Sequence, residues 1–328
     1  MNKFLKSLLV LSISLLLTFG VAEVALRVLS KYSLHVFDVE MWRYAKAIKI
    51  ESDVPGVVEE HRPNADELLM GVTVRTDDKG LRRADPATEA ASTPDDRLVI
   101  ALGDSVTFGW GAAEKDTFPA QLERVLADQC PKEGAPRATV LNAGIGNCNT
   151  SMEVKRYEAR LRPMKPSWVI VGYSYNDAEP DAVPNFNPFL WNSALISLAS
   201  ARLQRLSGPF QHYEPYYQGL YKDGLPGWEG TKREMAHLGQ MLREDGIPGT
   251  VLLLPELHEP KDFGPFKGLF GRVTELAKAN GFEVIDPSHA FPPGPGERFW
   301  VSHEDPHPTA EAHAIYAAAL AKSAYACR

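Results

Sequence analysis

Cysteine is scarce in this chain, basic charge is in the minority, and only one long uncharged stretch is also strongly apolar. Three cysteines in 328 residues (Cys130, Cys148 and Cys327) cannot build a disulfide scaffold. One bridge is open to them and the odd count leaves a thiol over; buried thiols are the expectation. Thirty-five Lys and Arg stand against 42 Asp and Glu, a formal net charge of -7. With no Lys/Arg stripe, that balance excludes the electrostatic footprint of a nucleic-acid binder. What is there is ordinary globular material, 44% hydrophobic and 23% charged, enough for one full core with an appendage.

That apolar stretch lies at the N-terminus, in "MNKFLKSLLVLSISLLLTFGVAEVALRVL". Lys3 and Lys6 precede an uncharged run from Ser7 to Ala22, and Glu23 and Arg27 follow it. Sixteen helical residues cover roughly 24 Å of a hydrocarbon core roughly 30 Å thick. Snorkelling of Lys6, with Phe4 and Leu5 adding length, makes a single span feasible. Gly20 and Ala22 also suit cleavage of a signal peptide after Ala22. Because the apolar pattern runs on through Val24, Ala25, Leu26 and Val28, an uncleaved anchor over residues 1–29 is the expectation, with secretion after cleavage as the alternative. Either way the flanking positive charge stays cytoplasmic and the rest of the chain is exported, to the periplasmic side of a bacterial inner membrane.

Residues 30–95 read as a stalk and adapter. "TVRTDDKGLRRADP" predicts a short strand, a turn at Asp77-Asp78-Lys79-Gly80 and an extended exit, and "ADPATEAASTPDD" predicts a loop. From residue 96 a regular alternation begins. Apolar strands are expected at 97–102, 138–143, 167–174, 249–255 and 282–285. Amphipathic helices are expected at 118–128, 152–162, 230–245, 266–280 and 309–325. Near-continuous Val, Ile and Leu strands alternating with helices imply an α/β domain with a five-stranded parallel sheet covered on both faces. In such a fold ligands bind beyond the carboxyl ends of the strands. The Pro-, Asn- and aromatic-rich interval 178–229, with a short amphipathic piece at 193–206, reads as an inserted cap.

"LVIALGDSVTFGWG" (98–111) ends a buried strand on Gly103-Asp104-Ser105. A nucleophilic serine needs a base, an orienting carboxylate and donors for the developing oxyanion. Three further segments supply them in order. "LNAGIGNCNT" offers backbone donors at Gly146 and Asn147, "YSYNDAEP" offers the Asn176 amide, and "HEDPHPTAEAHAIYA" offers His307 with Glu304 and Asp305 beside it. The amide of Ser105 itself is another donor, and Asp104 reads as a turn-stabilising side chain.

On these four segments residues 96–325 resemble the SGNH (GDSL-type) hydrolase family, and the stalk turn is similar to that of its membrane-anchored bacterial branch. The resemblance implies a flavodoxin-like three-layer α/β/α fold, Ser-His-Asp chemistry on acyl esters, Ser105 as nucleophile, His307 as base and Asn176 as an oxyanion donor. Two departures stand out. The glycine of the family's second block falls on Asn147. Its acid, three residues before the histidine, falls on Glu304, which is therefore expected ahead of Asp305.

"HEDPH" also spells a zinc motif, but Pro306 breaks the helix that motif requires at a cost of about 3 kcal/mol. Neither a metal nor another cofactor is expected. "PELHEP", with Glu256, His258 and Glu259, reads as a solvated loop, and His313 as a helix-face residue. The expected substrate is a small-molecule or carbohydrate acyl ester; protein partners are left open. Transfer of the acyl group to a cell-surface polysaccharide through the same serine, or a non-catalytic role in envelope assembly, are the alternatives.

Overall fold

The computed structural model describes residues 3–32, 35–83, 97–130, 137–181, 187–207 and 212–328. The expected loop over 84–96 and two pieces of the expected cap, 182–186 and 208–211, lie outside the described residues. Twelve strands are described: β1 (Lys49–Glu51), β2 (Glu59–His61), β3 (Asp66–Leu69), β4 (Val72–Thr76), β5 (Arg82–Arg83), β6 (Arg97–Gly103), β7 (Ala138–Asn142), β8 (Trp168–Tyr173), β9 (Gly249–Leu253), β10 (Glu283–Ile285), β11 (Trp300–Ser302) and β12 (Asp305–Pro308). The helices are α1 (Lys3–Tyr32), α2 (Phe37–Ala47), α3 (Ser105–Phe108), α4 (Phe118–Gln129), α5 (Thr150–Arg156), α6 (Pro188–Asn192), α7 (Ala194–Ser207), α8 (Tyr213–Leu220), α9 (Pro226–Asp245), α10 (Lys267–Ala279) and α11 (Ala310–Leu320).

The five expected parallel strands lie side by side in the order β10-β9-β8-β6-β7, with β10 at the edge of the sheet. Numbered by chain position within that set, the order is 2-1-3-4-5 read from β7, the flavodoxin-like winding. Alternation along β6 sends Val99 and Ala101 to one face and Ile100 and Leu102 to the other. The first face is covered by Phe118, Leu122 and Leu126 of α4 with Tyr316 and Leu320 of α11. The second is covered by Met235, Leu238 and Leu242 of α9 with Phe270 and Val273 of α10. Both faces are buried, which is why these strands are continuously apolar rather than alternating.

The sheet does not stop at β7. β5 pairs antiparallel with β7, and β4 and β3 follow, so the segment read as a stalk and adapter extends the sheet to eight strands. The turn at Asp77–Gly80 forms where expected. The Asp77 Oδ1 accepts from the Lys79 and Leu81 N–H groups at 2.8 and 2.9 Å, and Gly80 has φ +74°. A third apolar cluster joins Tyr44, Ile48, Leu69 and Val74 of the adapter to Phe108 and Trp110, just after Ser105.

Among the described residues α1 is the one helix long and apolar enough to cross a membrane, and its apolar stretch is exposed. The expectation of unpaired thiols is corrected: Cys130 and Cys327 form a disulfide that ties the end of the chain to the end of α4, while Cys148 is free and buried. The helix expected at 152–162 begins at Thr150, capped by the Asn149 side chain on the Met152 N–H at 3.0 Å, and runs on from Tyr157 to Leu161 as a π turn.

Candidate active site

Ser105 opens α3 directly after β6, at the carboxyl edge of the sheet. The sharp turn depends on Gly103, whose φ of +149° and close approach to Thr107 Oγ1 exclude a side chain. Asp104 is the N-cap, its Oδ1 accepting from the Val106 N–H at 2.8 Å, as a turn-stabilising role requires. Burial pushes the Asp104 carboxyl above its ordinary range, against the Val106 N–H, the charge of His307 and the hydrogen bonds from Asn176 and Ser174.

His307 reaches Ser105 from β12. Its Nε2 lies 2.9 Å from Ser105 Oγ, and its Nδ1 lies 2.5 Å from Asp305 Oδ1. Asp305 also accepts from the His307 backbone N–H at 3.2 Å and, through Oδ2, from Trp110 Nε1 at 2.8 Å. Burial drives the Asp305 carboxyl up, but the His307 charge and ring, the His307 amide and Trp110 outweigh it and hold the group below its ordinary value.

The ranking of Glu304 ahead of Asp305 is thereby reversed. Residues 303–304 form the turn of the β11–β12 hairpin, and Asp305 begins the strand. On a strand, residues two apart share a face, so Asp305 and His307 project together while Glu304 projects elsewhere. The Glu304 side chain is 64% exposed and pairs with Arg202 at 3.8 Å. The same hairpin puts His303 in a turn and His307 in a strand, which is not the helix a zinc motif needs.

The second block is corrected at one position. The Gly146 N–H donates to the Tyr44 hydroxyl at 2.9 Å, so it does not point at the serine. Asn147, the next residue, has φ +63°, a conformation in which glycine is the default and asparagine the best-tolerated substitute. Asn147 and Asn176 both line the cavity beside Ser105. The Asn176 side chain hydrogen-bonds to Asp104. The Ser105 N–H sits in the first turn of α3, where backbone donors have no intrahelical acceptor.

The cavity measures about 300 Å³. Several of its walls were not legible as site residues. Phe37 stacks on the His307 ring at 6.1 Å, and Met41 lies beside it, both from α2 of the adapter. Glu179 and Tyr217 come from the expected cap. Burial, then the Asp104 charge, raises the Glu179 carboxyl to about 7, with a hydrogen bond from Tyr217 pulling the other way. Glu256 is buried in the same wall and bonds the His258 ring and amide, while His258 and Glu259 are exposed, so "PELHEP" is the expected loop but solvated only in part. His313 is fully buried and accepts from the Phe118 N–H at 3.2 Å. Burial, Arg82 and His307 lower it to about 3.

The family model of GDSL-like lipases and acylhydrolases matches residues 101–315, which carry the four segments just described. The chain belongs to that family. Its members are ester hydrolases, and this GDSL hydrolase is one of them. Among solved structures it is similar to a lipase from a goat rumen metagenome, at 16% identity over 70% of this chain and 98% of that one, with a TM-score of 0.47. It is also similar to an acetylxylan esterase from Geobacillus stearothermophilus (15% identity, 70% of this chain, 95% of that one, TM-score 0.45). A third is an alpha/beta hydrolase enzyme from the metagenome of Lake Arreo, Spain (14%, 72% and 97%, TM-score 0.46). No curated protein matches the sequence.

Proposed function

We propose that this GDSL hydrolase cleaves short acyl esters through an acyl-enzyme on Ser105. The observation that carries the reading is the continuous relay from Ser105 Oγ to His307 Nε2, 2.9 Å, and from His307 Nδ1 to Asp305 Oδ1, 2.5 Å. His307 takes the serine proton as Ser105 attacks the carbonyl carbon, then returns it to the departing alcohol. Asp305 holds the imidazole in the tautomer that leaves Nε2 free to accept and balances the imidazolium that forms. The oxyanion is met by the Ser105 N–H, the Asn147 backbone and the Asn176 amide. Water, activated by the same histidine, then releases the acid. A cavity of about 300 Å³ suits a short acyl chain with part of its alcohol.

The same reading places the enzyme outside the cytoplasm, anchored by α1 with Lys3 and Lys6 inside. The Cys130–Cys327 bridge supports it, since structural disulfides persist in oxidising compartments. The test is labelling with a fluorophosphonate and turnover of 4-nitrophenyl acetate. Ser105→Ala should lose the label and about four orders of magnitude of kcat while melting like the wild type. Retention of label or of activity would remove Ser105 from the mechanism.

A further inference from the structure

The end of α1 is fastened to the catalytic domain rather than tethered to it. Glu23 accepts from Ser193 Oγ at 2.8 Å and from the Ala194 and Leu195 N–H groups at 2.9 Å, capping α7. One turn on, Arg27 donates to the Asn192 carbonyl at 2.6 Å and lies 5.0 Å over the Trp42 ring. Trp42 Nε1 in turn donates to the Trp191 carbonyl at 3.1 Å, and Lys46 sits over the same indole at 5.6 Å. Around this joint the apolar surface of α1 continues onto the domain. Val24 and Val28 are 61% and 52% exposed, Phe189 70% and Trp191 37%. Tryptophan and cations gathered where an apolar helix ends are what a membrane interface selects: indoles at headgroup depth, cations on phosphate.

α2 connects this joint to the chemistry. It carries Trp42 and Lys46 at the joint, while its Phe37 and Met41 line the cavity beside Ser105. Eleven helical residues span about 16 Å, so the cavity lies within about one short helix of the joint.

We propose that Phe189, Trp191, Trp42, Arg27 and Lys46 form a collar seated on the lipid bilayer around α1, and that the cavity of Ser105 opens at that surface to take an acyl ester presented by the membrane. The proposal rests on α1 spanning the bilayer and on the hydrolase reading. The bilayer is favoured over a protein partner because the exposed apolar residues are continuous with α1 itself.

The test uses the full chain in phosphatidylcholine–phosphatidylglycerol vesicles whose acyl chains are brominated near the headgroup. Flotation with the vesicles comes first; failure to float overturns the anchor and the collar together. In protein that floats, lipid bromine should quench part of the tryptophan emission, and Trp42→Phe with Trp191→Phe should abolish most of that quenching. Unchanged quenching in the double variant refutes the collar and leaves the anchor standing. A nitroxide at Phe189→Cys gives a reading independent of those substitutions. It should meet dissolved oxygen more readily than a water-soluble nickel chelate. Equal access to both means the site faces water; shielding from both with spin–spin broadening means a second copy covers it. Either overturns the proposal. Finally, the wild type should cleave hexadecyl acetate carried in its own vesicles as well as dissolved 4-nitrophenyl acetate. Cleavage of the dissolved ester alone refutes the membrane-borne substrate, whereas cleavage of neither refutes the hydrolase reading.

Discussion

Asp305→Asn should all but abolish turnover, and Glu304→Gln should leave it nearly untouched. Asp305 uses both oxygens, Oδ1 toward His307 Nδ1 at 2.5 Å and Oδ2 toward Trp110 Nε1 at 2.8 Å. An asparagine there has two placements, each a fault. With its amide nitrogen toward His307 it donates to Nδ1, which forces the ring proton onto Nε2, the atom that must accept from Ser105. Flipped, it offers oxygen to Nδ1 but sets its own N–H groups against the Trp110 donor. That lost charged hydrogen bond alone is worth about 1.5–3 kcal/mol. The negative charge that balances the imidazolium disappears in both placements. The equivalent change in a serine protease costs about 10⁴ in kcat. A loss of about 10³–10⁴ in kcat/KM is therefore expected, about 4–5 kcal/mol of transition-state stabilisation, with KM little changed. Glu304 is 64% exposed and 3.8 Å from Arg202, a surface pair worth about 0–1 kcal/mol, so its amide should stay within about fivefold of the wild type. Steady-state kinetics on 4-nitrophenyl acetate decide the matter. A larger loss from Glu304→Gln, or an Asp305→Asn variant within about tenfold of the wild type, would refute the assignment of the acid.

Tyr44→Phe removes the hydroxyl that accepts from the Gly146 N–H and contacts His61 Nε2 at 2.5 Å, leaving buried groups unpaired. It should cost about 1–3 kcal/mol in denaturant melts and lower kcat more than it raises KM, because the Asn147 donor loses its support. Reduction, or Cys130→Ser, opens a bridge spanning 197 residues and should lower stability by about 2–5 kcal/mol without changing the kinetic pH profile. Two carboxyls should pull the melting temperature in opposite senses with pH. Asp305, held below its ordinary value, contributes stability above the unfolded carboxylate range that is lost as pH falls through its folded value. Glu179, raised to about 7 from 4.5, contributes stability in full below about 4.5 that is lost as pH rises through about 7. Glu179→Gln should flatten the melting curve in that window; an unchanged slope would show that the carboxyl does not titrate there.

The parallel sheet was legible because both of its faces are buried: β6, β7, β8, β9 and β10 announce themselves as runs of Val, Ile and Leu, and their bounds fall within two residues of the expected ones. Ser105 and Asn176 came forward as candidates because each follows a strand the pattern locates, and His307 because it precedes the last helix. Which carboxylate contacts His307 was not legible, because two adjacent carboxylates differ only in which face of a two-residue period they occupy. That period starts where the hairpin turn ends, and the register of β11 on β12 is a pairing between strands. The Cys130–Cys327 bridge was hidden for a similar reason, since it joins positions brought together only by the packing of α11 against α4. Gly146 was misjudged because its partner, Tyr44, lies 102 residues away.

The last of these misses changes the status of the adapter. Tyr44 fixes Gly146 beside Asn147, and Phe37 stacks on His307. From β5, the buried Arg82 guanidinium donates to the carbonyls of Phe108, Gly109 and Ala112 at 2.6 Å each, tying down the chain that leaves the nucleophile turn. Three segments of the site thus pack on residues 37–82, a stretch whose sequence pattern singles out its turn at Asp77–Gly80 but none of these contacts. Helix caps and strand ends place Ser105 and His307 to within a rotamer, but a loop such as 144–149 has no regular ladder to hold it. Its geometry has to come from side chains that reach in from elsewhere. The proposed anchor and the proposed site are joined for that reason: α2, which follows the apolar helix in the chain, is also a wall of the cavity.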